Sequence, residues 1–377
     1  RVALVPASPG DDVYRYMWEG RVRLAGGNPY LKAPDHPDLA PLRDDNWPRI
    51  NHPDHRAIYP PLAQALFTAI AAVGPTPIVF KVAFVTCDVA ALLMIIRWLR
   101  RRGADPRWVI VYALSPLTMW AFAHEGHYDG LVALGLAGLL MVIDDPSARL
   151  TRTRAAIGGA AWGFAVGVKV VPIVLAPWLI ARLWRGGDQA RLPEQEPAKL
   201  TRVLFGLGAA AFVACAPALL YIDAGSEMLA PLRGFARGFH VFDFTRQWLL
   251  AHVGVNGADW LTLVIVGALA LAAAMPRIRG DLAQLLAIGP VIALAPTIHA
   301  WYLTWLLPAL CGRVSWAWLS LIALSPLMLE AERMRELTGE WAAPAWVGAA
   351  MFVPFYAILA IEVARAALTR GRPVPDR

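Results

Sequence analysis

The chain has 377 residues, of which 58% are hydrophobic and only 17% are charged, against roughly 25% charged residues in soluble domains. This composition excludes an ordinary soluble protein and predicts an all-α integral membrane protein, a polytopic helical bundle of about nine to eleven membrane segments. The net charge of +7 comes from Lys and Arg in short loops between apolar runs, which favours a role in topology over nucleic-acid binding.

The first 59 residues contain many Pro, Asp, Asn and His residues and no long apolar run, so we interpret them as a structured loop outside the membrane. Pro60 and Pro61 then predict the start of a short interfacial helix in "YPPLAQALFTAIAAVG". We therefore divide the chain into a first external loop over 1–75 and a transmembrane bundle over 76–377, which together form a single domain. Because "RVALVPASP" starts without Met, we expect that a first transmembrane helix of the native protein precedes it.

The first predicted span, 76–98, ends in a run of arginines that marks the cytoplasmic side. Residues 155–183 have basic loops at both ends, so we predict a re-entrant pair of short helices, bent near Lys169 and Pro172. The other predicted spans are 108–123, 129–143, 200–222, 258–275, 281–298, 300–312, 314–329 and 342–366. This topology places the first loop, the turn 124–129, the loop 223–257 and His299 on one external face, where their polar groups could share a cavity.

Five stretches carry a resemblance to a known family: "DDVYRYMWEGRVRLAGGNPYLKAP", "INHPDHRAIYPPLAQALF", "HEGHYDGL", "VGVKVVPIVLAPWL" and "IHAWYLTWLLP". Over about residues 10–311 the chain resembles bacterial polytopic glycosyltransferases of the C superfamily, the GT-C fold, in the branch that uses polyprenyl-phosphate mannose. The resemblance implies transfer of a sugar, mannose in this branch, from a polyprenyl-phosphate donor to a lipid or glycan acceptor. The reaction would invert the sugar and take place on the extracytoplasmic face of the bacterial inner membrane.

The resemblance also implies an acidic catalytic base in the first external loop, at positions matching Asp11 and Asp12. The Arg-Tyr pair that begins at Arg15 favours Asp12, with Asp11 as a helper or second candidate. Inverting transfer indeed needs an ionised carboxylate that takes the acceptor proton, and repulsion between neighbouring carboxylates raises the pKa of at least one. Alternatively, Asp11 caps a helix that begins at Val13, with Gly10 as the turn residue.

A departing polyprenyl phosphate needs positive charge around it. The resemblance assigns Lys169 to a region near the donor, with snorkelling to the interface as the alternative. The alternative for the turn 124–129 is a hydrogen-bonded helix end, and the alternative for Tyr302 is an interfacial aromatic belt. The candidate donor-phosphate or substrate-binding residues are Arg15, Arg21, His124, His127, Asp129, Lys169, Arg246, His299 and Tyr302.

Other classes of function remain open. The His and carboxylate residues of "HEGHYDG" could ligate a divalent cation, but the pattern is not HExxH and no third distant ligand is obvious, so we predict no metal and no cofactor. A Gly-rich nucleotide loop is absent from the sequence. A transporter or flippase would use Lys81, Asp88 and Lys169 as charges within the membrane, although no inverted repeat is clear. A non-catalytic assembly factor would tolerate changes throughout the first loop.

Overall fold

The computed structural model describes residues 1–186, 196–230, 234, 240–339 and 342–370. These ranges consist of helices and connecting turns and contain no strand, only one isolated bridge between Val241 and Thr297. The longer α-helices are α1 (Asp11–Leu24), α2 (Pro61–Val73), α3 (Pro77–Arg101), α4 (Asp129–Ile143), α5 (Arg152–Val168), α6 (Ala176–Arg185), α7 (Glu196–Cys215), α8 (Phe244–Ala273), α9 (Gly280–Leu294), α10 (Trp316–Leu324), α11 (Glu330–Thr338) and α12 (Ala345–Arg370).

Short helical turns connect these elements. Three are short α-helices, at Ile110–Ala113, Pro116–Thr118 and Leu307–Gly312, and Met119–His124 is a π-helical turn. The 3-10 turns are Val2–Leu4, Pro37–Leu42, Trp47–Arg49, Pro106–Val109, Val171–Leu175, Ala216–Met228, Ala300–Leu306 and Ser325–Leu329.

Four helical stretches are long and apolar enough to cross a membrane: Pro77–Arg101, Glu196–Met228, Phe244–Ala273 and Ala345–Leu368. Together with the helical fold, they confirm an all-α polytopic membrane protein. How many of the shorter helices also cross, and which side faces out, remain predictions, and so does the division at residue 75.

Several predicted elements lie where the sequence placed them. Helix α3 begins after Thr76, whose hydroxyl accepts a hydrogen bond from the Val79 N–H, and α4 has the predicted bounds 129–143. The bend expected near Lys169 is also present, because α5 ends at Val168 and the turn Val171–Leu175 intervenes before α6. Proline at the second position of that turn, Pro172, cannot donate to the preceding turn of helix, which explains the break.

Other segments differ from the prediction. The segment 108–123 is not one span but four short helical pieces, because Pro116 and the π-helical turn interrupt it. Helix α8 starts at Phe244, well before residue 258, and is kinked at Gly254, which has φ +70°. The charged helix α11 was not predicted. Parts of the predicted loops, 187–195, 231–233, 235–239 and 371–377, lie outside the described residues.

Close packing of small residues joins α5 to α7. A side chain at Gly159 would overlap the backbone of Gly206, and one at Gly163 would overlap the backbone of Ala210. Helices in membranes approach closely where such small residues recur every fourth position, because their backbones can then make direct van der Waals contact. Lys169 directly follows the last residue of α5, so its backbone position depends on this packed pair.

Candidate active site

Helix α1 presents two carboxylates in its first turn. Gly10 is the N-cap, and its N–H donates to the Glu125 carbonyl at 3.1 Å. A side chain at Gly10 would overlap the Glu125 side chain, so glycine allows the helix to start against the turn 124–129. The alternative in which Asp11 caps a helix beginning at Val13 is wrong in its bounds, because the helix already begins at Asp11. The positive end of the helix dipole stabilises negative charge in this turn.

Both carboxylate oxygens of Asp12 have polar neighbours. The Asn51 amide donates to Oδ1 at 2.6 Å, the Tyr16 hydroxyl donates to Oδ2 at 3.2 Å, and the Nδ1 atom of His127 lies 3.3 Å from Oδ2. The Asp12 side chain keeps 22% of its surface exposed. The carboxylate is therefore fixed in orientation while one edge of it stays accessible.

The pKa values of the two aspartates move in opposite directions. Burial and the negative charge of Asp12 raise the pKa of Asp11, which is the repulsion expected from the sequence. Burial alone would raise the pKa of Asp12 too, but hydrogen bonding and positive charge at His127, together with the Asn51 amide, hold that pKa below its ordinary value. At neutral pH the ionised form of Asp12 is the stable one.

Three rings stack beside Asp12. The His127 ring lies on Trp301 with centroids 3.6 Å apart, and the His299 ring is parallel to Trp301 at 4.5 Å. His299 belongs to the link between α9 and the turn Ala300–Leu306. Burial and the charge of Lys169 lower the pKa of His299 to about 3, although the charge of Asp12 acts in the opposite direction. His299 is therefore a neutral imidazole at physiological pH.

A second polar group adjoins this stack. The Lys169 ammonium lies 3.2 Å from Asp129 Oδ1, which also accepts from the Trp305 indole at 2.8 Å. The same ammonium stands over the rings of Tyr128, Tyr302 and Trp305 at 4.9, 4.5 and 5.3 Å. Within the described residues Asp129 Oδ2 is buried without a hydrogen-bond partner. The Tyr128 ring packs 5.2 Å from that of Tyr16, so the two polar groups form one continuous site.

Four sequence candidates are engaged elsewhere. Arg15 is buried and bonds to Glu19 and to backbone carbonyls of residues 51–55. Arg21 pairs with Asp44 and donates to the Leu42 carbonyl, and His124 contacts its neighbour Glu125 at 2.7 Å. Arg246 pairs with Asp259 at 2.8 Å, across the kink of α8. Their predicted substrate contacts stay untested, but these arginines already hold structural partners.

The charges that a transporter would use in α3 also have structural partners. The Lys81 ammonium donates to the carbonyls of Leu4 and Ala7, and Asp88 pairs with Arg1. Both charges thus tie α3 to the N-terminal segment. In the described part of the chain, no three His, Cys, Asp or Glu side chains are arranged to hold a metal ion.

Sequence reasoning did not select Asn51, Trp301 or Trp305 as site residues. Asn51 lies within the stretch "INHPDHR" that carried the family resemblance, but nothing in its spacing pointed to Asp12. Trp301 and Trp305 flank the residues that were chosen, His299 and Tyr302. The three aromatic residues that closely follow His299, at positions 301, 302 and 305, were the available signal.

A cavity of about 670 Å³ extends from this site. His299 and Trp301 form part of its wall, and Glu332 of α11 contributes a carboxylate. The remaining lining is almost entirely apolar: Ile110, Val111, Leu114, Ser115, Pro116, Leu117, Trp120, Phe242, Ala300, Leu307, Leu319, Ile322, Ala323, Ser325, Pro326, Met328 and Leu329. The volume lies within the range of roughly 300–1,000 Å³ typical of ligand pockets.

The N-terminal part of the chain matches the model of a known protein family. Residues 3–185 match the model of the MptA_B family, described as the alpha-(1->6)-mannopyranosyltransferase N-terminal domain. A comparison with individually curated proteins finds no match. The family match confirms the resemblance to the mannosyltransferase branch and supports a mannosyl-transfer function. It covers Asp11, Asp12, Asn51, the turn 124–129 and Lys169, whereas His299 and Trp301 lie beyond it.

Proposed function

We propose that the protein transfers mannose from a polyprenyl-phosphate carrier to a lipid or glycan acceptor on the extracytoplasmic face of the inner membrane, with Asp12 as catalytic base. The observation that carries this proposal is the arrangement around Asp12: an ionised, oriented and partly exposed carboxylate next to the ring stack of His127, Trp301 and His299, within the residues that match the mannosyltransferase family. Two rings of that stack, Trp301 and His299, line the apolar cavity.

The proposed reaction is a single displacement. The Asp12 carboxylate takes the proton of an acceptor hydroxyl as its oxygen attacks the anomeric carbon, and the bond from that carbon to the phosphate oxygen breaks. The electron pair leaves with the polyprenyl phosphate, and the attack from the opposite side inverts the sugar. A positioned base contributes about 10²–10⁴ in rate to such a step.

The apolar cavity supports a lipid-linked donor. Its walls suit an isoprenoid chain because they bury hydrocarbon at about 25 cal/mol per Å², while His299 and Trp301 at its wall also belong to the ring stack on His127. A chain lying in the cavity would bring its phosphate end toward that stack. Asp12, whose Oδ2 lies 3.3 Å from His127 Nδ1, is the base that adjoins this stack.

Lys169 is the cation best placed for the departing phosphate. Its ammonium has three donors, of which Asp129 takes one, so two remain for phosphate oxygens. The surrounding aromatic rings keep it at the site through cation–π attraction. A fixed positive charge at this place stabilises the negative charge that develops on the leaving group.

The donor and the stereochemical course test this function. Purified protein would receive radiolabelled mannose as polyprenyl-phosphate mannose or as a nucleotide sugar, and NMR would give the anomeric configuration of the product. We expect transfer from the lipid donor alone, with inversion. Transfer from the nucleotide sugar, or a product of retained configuration, would contradict the proposal.

A further inference from the structure

We infer that Asn51 is a positioning residue that selects Asp12 rather than Asp11 as the working carboxylate. Its amide nitrogen lies 2.6 Å from Asp12 Oδ1 and 3.3 Å from Asp11 Oδ1. It thus bridges the two aspartates unequally. This inference rests on the proposed function, because it concerns the orientation of the proposed base.

A buried chain of contacts holds Asn51 in place. The Arg15 guanidinium donates to the carbonyls of Asn51, His52 and His55 at 3.3, 2.8 and 2.5 Å. Glu19 pairs with Arg15, and Gln64 of α2 donates to Glu19. Arg15, Glu19 and Gln64 are all buried, so the loop position is set by the packing of α1 against α2 rather than by solvent-exposed contacts.

The backbone after Asn51 adopts an uncommon conformation. His52 has φ +44°, a left-handed value that few residues other than glycine take. Such a conformation persists where surrounding contacts impose it, and here the Arg15 guanidinium binds the His52 carbonyl itself. Arg15, predicted from the sequence to contact the substrate, therefore acts on Asp12 through the loop.

The consequence for Asp12 is geometric and electrostatic. With Oδ1 occupied by Asn51, the other oxygen, Oδ2, faces His127 and Tyr16. The amide also favours the ionised carboxylate, because its N–H group bonds more strongly to a charged acceptor than to a neutral carboxyl group. Other titratable groups also act on the two aspartates through their charge. Around Asp12 these are Glu19, Tyr59, Tyr128, His299 and Tyr302. Around Asp11 they are Arg335 and Glu332 of α11.

Carboxyl labelling tests this inference without relying on activity. The full chain in detergent would be treated with a carbodiimide and an amine between pH 2.5 and 7, and mass spectrometry would give the labelling midpoint of each aspartate. We expect the Asp12 midpoint to lie below that of Asp11. In Asn51→Leu it should rise by about one to two pH units, since a hydrogen bond to a charged group is lost. The isosteric Asn51→Asp should raise it as well, through repulsion.

Activity and a matched control complete the test. Asn51→Leu should lower kcat about tenfold and leave the donor KM within about twofold, because the base is misplaced but the donor site is intact. Asn46→Leu, the same exchange earlier in that loop, should change neither midpoint nor kcat. Unchanged Asp12 midpoints in both Asn51 variants would overturn the inference. Absence of transfer by the wild type would instead overturn the proposed function, and the labelling result would still decide the role of Asn51.

Discussion

Two neighbouring aspartates in the first turn of α1 have pKa values that move in opposite directions, because their polar neighbours differ. Asp12 has Asn51, Tyr16 and His127 as polar neighbours, whereas Asp11 has the longer Asn51 contact and the Arg335 guanidinium at 3.8 Å. The sequence placed both carboxylates at the site and favoured Asp12 by resemblance alone. Only the three-dimensional arrangement gives a physical reason for that choice.

The pH dependence of transfer follows from the direction of the Asp12 pKa. Because the base is active when ionised and its pKa lies below the ordinary value of about 3.9, protonation should not slow the reaction until the pH falls below about 4. Initial rates in short assays from pH 3.5 to 8 measure this. If the transfer rate instead fell as the pH dropped through about 6, and did so in the His127→Gln and His299→Gln variants as well, the low pKa of Asp12 would be contradicted.

At Lys169 the predicted change concerns donor binding. Lys169→Met should raise the donor KM about tenfold, equivalent to about 1.4 kcal/mol, because one charge-assisted contact to the phosphate disappears. Steady-state kinetics with the lipid donor measure the change. Lys199→Met, which removes a lysine paired with Glu196 on α7, is the control and should leave KM unaltered. Equal KM values for all three proteins would remove Lys169 from the donor site.

At the scale of elements, local signals predicted the helices that depend on local sequence. Pro61 opens α2, the apolar run with terminal arginines gives α3, and the break after Val168 follows from Pro172. The segment 108–123 was read as one span because its composition is apolar, although packing resolves it into short turns. Helix α11 was missed, since a charged stretch without apolar periodicity gives no signal that Glu332 lines the cavity.

The contact between α5 and α7 leads to a stability prediction. Gly163→Leu should destabilise the protein by about 1–3 kcal/mol through overpacking, because the added side chain would overlap the backbone at Ala210. Thermal unfolding in detergent measures the effect. Gly208→Leu, on α7 in open space, should stay within about 0.5 kcal/mol of the wild type. Similar losses of stability in the Gly163→Leu and Gly208→Leu variants would mean that the close contact between α5 and α7 does not stabilise the fold.

At the scale of the whole molecule, the site joins parts that lie far apart in sequence. The family domain supplies α1, Asn51, His127 and Lys169, and the second half of the chain supplies His299, Trp301 and the wall of the cavity. The predicted topology brought these segments to one face, but stacking of His127 on Trp301 depends on tertiary packing that no local pattern encodes. Trp301 and His299 belong both to the ring stack beside Asp12 and to the wall of the apolar cavity, so they connect the two parts of the proposed site.

The cavity predicts a dependence on donor chain length. Ala323→Phe would fill part of the space beside Ile322 and Leu319, so the KM for a long polyprenyl donor should rise several-fold. A donor with only two or three isoprene units should be affected less, because its chain leaves more of the cavity empty. Ala251→Phe, on an exposed position of α8, serves as control. An identical effect on long and short donors would place the chain elsewhere.

The most direct test of the account compares Asp12→Asn with Asp11→Asn in transfer from polyprenyl-phosphate mannose, at saturating donor in reconstituted membranes. The predicted result is a loss of at least about 100-fold in kcat for Asp12→Asn, since a positioned base supplies about 10²–10⁴, with a loss below about fivefold for Asp11→Asn. Full activity of Asp12→Asn would contradict the central claim that this carboxylate activates the acceptor.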